Sequence, residues 1–116
     1  MRNLIITALA IAAVASITLT TRAADGDKPD AKANWMKYCK GCHGETGKGD
    51  TRLGKTHKVR DYSDAKVQES LKDEDAFKAI KEGFKQGDHE VMKPLAEKMS
   101  DDEIKALVKH LRSLKQ

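Results

Sequence analysis

The strongest periodicity of apolar and polar positions lies at the C-terminal end of the chain. Ile104, Leu107, Val108, Leu111 and Leu114 recur every three or four residues, so they share one face of a helix. Ser100 and Glu103 form a capping box at its start, Met99 precedes the cap as a staple onto Ile104, and Lys109, Arg112 and Lys115 collect at its end. A second helix is predicted from Asp73. Asp73, Glu74 and Asp75 suit the positive end of a helix dipole, Phe77, Ile80 and Phe84 form a stripe, and Gly83 marks the close. A first helix runs from about Ala31 into Cys39, with Ala31, Trp35 and Cys39 on one face. A short helix is expected within Tyr62 to Ser70, capped by Asp61 or Ser63. From His43 to Arg60 nothing has helical period, and Gly44, Gly47, Gly49 and Gly54 predict a loop; so long a loop in a small domain calls for a function. Lys85 to Lys98 reads as a linking segment. No run alternates as a strand does, so the expected class is all-α, with three to four helices.

The N-terminus adds an address. Met1, Arg2 and Asn3 form a short positive lead, Leu4 to Leu19 carries no charge, and the chain then turns polar with small residues for cleavage. This is the outline of a secretory signal peptide over residues 1–23, cut after Ala23. The apolar run falls short of the ~20 residues of a membrane span, which favours removal; a membrane-anchored form results if the segment is retained. Residues 24–30 read as a disordered polar leader and residues 31–116 as one small domain, expected in the periplasm.

A domain of this size buries only roughly 60–65% of its unfolded surface, and a large apolar group at its centre would relieve that shortage. The formal net charge of +4 includes Arg2 and Arg22, which leave with the signal. Charged residues, 34% of the chain, are mixed in sign, which fits a solvated helical surface and not a nucleic-acid-binding face.

The candidate chemistry sits in Cys39-Lys40-Gly41-Cys42-His43. Cys-x-x-Cys-His is the sequence form of covalent haem attachment. Two thiols at this spacing add to the two vinyl groups of one haem, and the histidine beside them is delivered to the iron as its proximal ligand. Cys-x-x-Cys also reads as a dithiol redox centre or as half of a zinc site. The chain has only two cysteines, so a zinc site would have to recruit His57, His89 or His110 beside His43, at spacings unlike the usual paired ligands. In an oxidising compartment, haem attachment is also what consumes two thiols too close together to make a structural staple.

With these residues in place the exported part of the chain resembles the class I c-type cytochromes over essentially its whole length. That family places a small residue eight positions, and an aromatic four positions, before the first cysteine, matched here by Ala31 and Trp35. The run Leu107 to Arg112 resembles the family's terminal helix, which crosses the first, and Met92-Lys93-Pro94-Leu95 resembles the loop that supplies the second axial ligand. The resemblance implies a small all-α fold wrapped around one covalently bound haem c, held by Cys39 and Cys42, with His43 and Met92 on the iron. Two positions depart from the family. His110 stands where an aromatic is usual, and is expected as a structural histidine. No proline lies between His43 and Arg60, so a backbone carbonyl of the glycine-rich loop is expected to accept the His43 imidazole N–H.

Beside the resemblance, the residues themselves offer Met36, Met92, Met99, His57, His89 and His110 as second ligand. Met36 is on the helix of His43, Met99 is the staple, His110 belongs to the terminal helix and His57 carries no further signal. Met92, stiffened by Pro94, is preferred, with His89 as its competitor. The expected function is one-electron transfer by a six-coordinate haem protein that is not an enzyme. Its expected partners are redox proteins, some of them membrane-bound, with Lys40, Lys48, Lys55, Lys93 and Lys98 as a ring for an acidic docking face. A monomer is expected, with no nucleic acid and no small-molecule substrate. The alternatives are a haem-bearing subunit of a larger redox complex, and a small peroxidase or gas sensor with an open sixth position.

Overall fold

The computed structural model describes residues 29–116. The expected signal peptide and most of the expected leader fall outside the described residues; among those described, no helix is long and apolar enough to cross a membrane.

The chain runs through α1 (Ala31–Asn34), a π-helical turn (Trp35–Cys39), α2 (Lys40–His43), α3 (Arg52–Thr56), α4 (Ala65–Ser70), α5 (Asp73–Glu82), β1 (Phe84–Gln86), β2 (His89–Met92) and α6 (Asp101–Ser113). The first helix does not end at Cys39. Its helical path continues through His43, so the Cys39–His43 motif forms its last turns. The π turn, closed by Lys40 N–H donating to the Trp35 carbonyl, widens the helix by one residue just before Lys40 and so re-aims Cys42 and His43.

Four further expectations are corrected. The glycine-rich stretch contains α3, capped by Thr51, whose side chain accepts from Gly54 N–H; only Gly54 of this helix is buried, so it has no apolar stripe to betray it. The segment after Gly83 is an antiparallel hairpin, with Gln86 opposite His89 and Phe84 opposite Met92. Gly87, at φ +62°, makes its two-residue turn. Its residues are exposed except Val91 and Met92, which is why no alternation of burial was written into the sequence. Phe84 therefore lies beyond α5, half-exposed, while Ala76 and Ile80 supply that helix's buried face. Asp64 caps α4, and Asp61 instead closes a turn by accepting from Ser63 N–H at 2.8 Å and Ser63 Oγ at 2.6 Å. These bonds from Ser63 hold Asp61 below the usual carboxylate range.

The terminal helix matches its sequence signals closely. Ser100 Oγ accepts from Glu103 N–H at 3.2 Å, Met99 is buried under the cap, and Ile104, Leu107, Val108 and Leu111 point inward. The core they form with Trp35, Cys39, Ala76, Ile80 and Leu95 joins α6 to the motif-bearing helix and to α5. At the junction with α1, Asn34 Nδ2 donates to Glu103 Oε2 at 3.3 Å and the Trp35 and His110 rings lie 5.4 Å apart. Arg112 fastens the other side, donating to Asp73 Oδ1 at 2.7 Å and to the carbonyls of Gln68 and Leu71.

Candidate haem-attachment site

Cys39 closes the π turn and is buried, whereas Cys42 and His43 lie half-buried in α2. Neither thiol is in a disulfide. Burial, reinforced by Cys42, pushes the Cys39 thiol up to about 12, the opposite of the low pKa that a dithiol nucleophile requires. The zinc alternative lacks ligands, since no group of three or more His, Cys, Asp or Glu side chains gathers among the described residues.

His43 is gripped between two rings, with Trp35 at 5.6 Å and Tyr62 at 5.6 Å between centroids. Burial holds its pKa below the ordinary value of 6.5, so the imidazole is neutral and keeps a lone pair to give. Burial likewise pushes the Tyr62 phenol above its ordinary range. The expected backbone acceptor for His43 is not found: Nδ1 is buried with no hydrogen-bond partner. One nearby carbonyl is already engaged, because Trp35 Nε1 donates to Gly44 O at 2.9 Å.

The loop after the motif caps the helix that bears it. Gly44 N–H reaches the Lys40 carbonyl at 2.9 Å, Gly49 N–H the His43 carbonyl at 2.8 Å, and Thr51 Oγ donates to the Cys42 carbonyl at 2.8 Å. The Lys40 bond closes the last turn of the helix, and the Cys42 and His43 carbonyls are among those a helix end leaves without internal partners. Gly54 is pressed so closely onto this end that a Cβ there would stand 2.4 Å from the Cys42 carbonyl oxygen. In the sequence Thr51 and Gly54 read only as loop residues; a threonine three positions before a buried glycine was the available sign of a capped turn.

Among the described residues, two large apolar side chains are left half-exposed, Leu53 on α3 and Phe84 on β1, each at 50%. Their elements are tied together by Gln86 Nε2, which donates to the His57 carbonyl at 3.5 Å. Reduced thiols, a neutral imidazole beside them and apolar surface on the neighbouring α3 fit a covalently attached, flat apolar macrocycle with iron at its centre.

Of the second-ligand candidates, Met92 is half-buried against the core at the base of the hairpin, and its backbone passes so close to Gly83 that a Cβ there would stand 2.6 Å from the Met92 carbonyl oxygen. His89 is exposed beside the hairpin turn. Met99 is buried beneath α6, Met36 packs on the core from the motif-bearing helix, and His110 stacks on Trp35.

Comparison with known proteins agrees with this geometry. Residues 29–115 match the family model of cytochrome c. Among solved structures, the c-type cytochrome KustC0563 superposes with a TM-score of 0.67 at 36% identity, covering 75% of this chain and 99% of that one. A tyrosine-to-phenylalanine mutant of the same cytochrome gives a TM-score of 0.65 at 36% identity, over 74% of this chain and 99% of its own. A search among curated proteins returned no match. With most of its length matched by the family model and its attachment motif housed in the expected helix, this chain belongs to the cytochrome c family and is a haem-bearing electron-transfer protein with covalently bound haem c.

Proposed function

We propose that the protein is an exported, periplasmic carrier of single electrons, in which Cys39 and Cys42 form the two thioethers and His43 and Met92 fill both axial positions of the iron. The haem supplies a one-electron iron couple. The chain's own residues do the rest: α2 presents Cys42 and His43 from a helix end whose carbonyls are capped by the adjoining loop, and the rings of Trp35 and Tyr62 restrict the His43 imidazole. A neutral thioether ligand and an apolar surround both favour the reduced state and raise the potential.

The observation that carries the assignment of Met92 is the contrast within the hairpin. Met92 is half-buried at its base and packed on the core, whereas His89 is exposed at its turn. With both axial sites filled, nothing is bound and turned over, which makes the protein a carrier rather than an enzyme. Its partners are redox proteins. Lys40, Lys48, Lys55, Lys93 and Lys98 are all exposed and available to an acidic docking face, and the carrier works as a monomer. Absorption spectra of the purified protein, oxidised and reduced, with and without carbon monoxide or cyanide, test this reading. Six-coordinate spectra indifferent to added ligand are expected; rapid binding of either ligand would transfer the protein to the open-site class.

A further inference from the structure

We infer that Thr51 is a positioning residue for the axial histidine, acting through the single peptide unit that joins Cys42 to His43. That unit lies between the second thioether and the iron ligand, so its orientation sets the direction in which the His43 side chain leaves the backbone. Two contacts converge on it, and a further one holds the peptide unit that follows. Thr51 Oγ donates to the Cys42 carbonyl at 2.8 Å, and the same oxygen accepts from Gly54 N–H at 2.9 Å. The Gly54 backbone stands against the same carbonyl, leaving no room for a Cβ, which would meet Cys42 O and Gly49 O at 2.4 Å each. The next carbonyl, that of His43, is held by Gly49 N–H at 2.8 Å.

Each part of this clamp needs its residue type. Only a hydroxyl can cap α3 as an acceptor and in the same geometry donate to a carbonyl. Only glycine lets α3 approach closely enough for that bond to form. With the His43 Nδ1 unpartnered, the ring lacks the hydrogen bond that ordinarily fixes a ligating histidine. Its orientation then depends on the backbone clamp and on the flanking rings.

The inference rests on His43 being a ligand and is independent of which residue is the sixth. It is tested on the intact holo-protein by comparing Thr51→Val, Thr51→Ser and, as a control, Ser100→Ala, which removes a hydroxyl cap from the remote helix α6. Reduction potential and the hyperfine-shifted proton resonances of the His43 ring are read together with stability to denaturant. Thr51→Val is expected to shift both the potential and the His43 resonances, Thr51→Ser to restore them, and Ser100→Ala to lower stability with neither shift. Thr51→Val with wild-type potential and resonances would overturn the inference and leave Thr51 as a cap alone. Should Thr51→Val fail to mature, the wild-type protein still decides. The Thr51 hydroxyl proton is expected as a slowly exchanging resonance with cross-peaks to the His43 amide, and its absence refutes the clamp. If the wild-type protein lacks hyperfine-shifted His43 resonances altogether, the ligand assignment is what fails.

Discussion

The indole nitrogen of Trp35 donates to the carbonyl of Gly44 at 2.9 Å, tying the middle of the motif-bearing helix to the residue just after His43. The same ring lies against His43 on one side and His110 on the other, so a single side chain links the proposed iron ligand to the terminal helix.

Trp35→Phe keeps an aromatic in the core and deletes the donor. The Gly44 carbonyl retains the longer bond from Gly47 N–H at 3.3 Å, so the loss is that of one hydrogen bond with partial compensation, about 1 kcal/mol, to which the lost ring area adds. Denaturant unfolding of the holo-protein, monitored by haem absorption and far-UV dichroism, measures it.

Attachment is expected to depend on both thiols. Cys39→Ser and Cys42→Ser are each expected to lose one thioether, to reduce the yield of holo-protein sharply and to leave most of the chain unfolded. Mass spectrometry under denaturing conditions reports the haem adduct directly, and haem that acid and organic solvent extract from the unaltered protein would contradict covalent attachment.

The hairpin variants separate its two candidate ligands. Met92→Ala should keep haem attached, lower the potential and admit carbon monoxide or cyanide, while His89→Ala should do none of these. Potentiometry and ligand titration read the difference, and the opposite pattern would assign a bis-histidine iron.

His110 makes folding pH-dependent with a definite sign. Burial, with Lys32 nearby, holds its pKa below the ordinary 6.5, and its Nε2 is buried without a partner. Between the folded and unfolded pKa values the unfolded chain binds more protons, so the His110 contribution is full above pH 6.5 and is lost as pH falls toward the folded value. In His110→Phe this loss disappears. Urea midpoints of both proteins at neutral and mildly acidic pH check it, since groups common to both cancel in the difference.

The exposed lysines predict a salt effect. If they steer an acidic partner, electron-transfer rates should fall as added salt shortens the Debye length to ~10 Å at about 0.1 M. Stopped-flow rates with an anionic redox partner across ionic strength show it, and flat rates would assign the lysines to solubility.

Much of this protein was legible before folding. The Cys39, Cys42 and His43 motif carried the cofactor, because covalent attachment demands two thiols and a ligand within five consecutive positions. The caps and stripes of α5 and α6 carried the helices, since those signals operate over three or four residues. What the tertiary structure decided are features with no local signature. The hairpin around Gly87 is almost wholly exposed, so no alternation marks it. Helix α3 buries only a glycine and exists because Thr51 caps it against the Cys42 carbonyl. The π turn at Trp35–Cys39 changes the register of a helix whose sequence reads as continuous α. The company of His43, with Trp35 of its own helix on one flank, Tyr62 from beyond α3 on the other and no acceptor at Nδ1, depends on how the following loop folds back. Local chemistry marked the residues proposed to hold the haem; long-range packing chose how His43 is held.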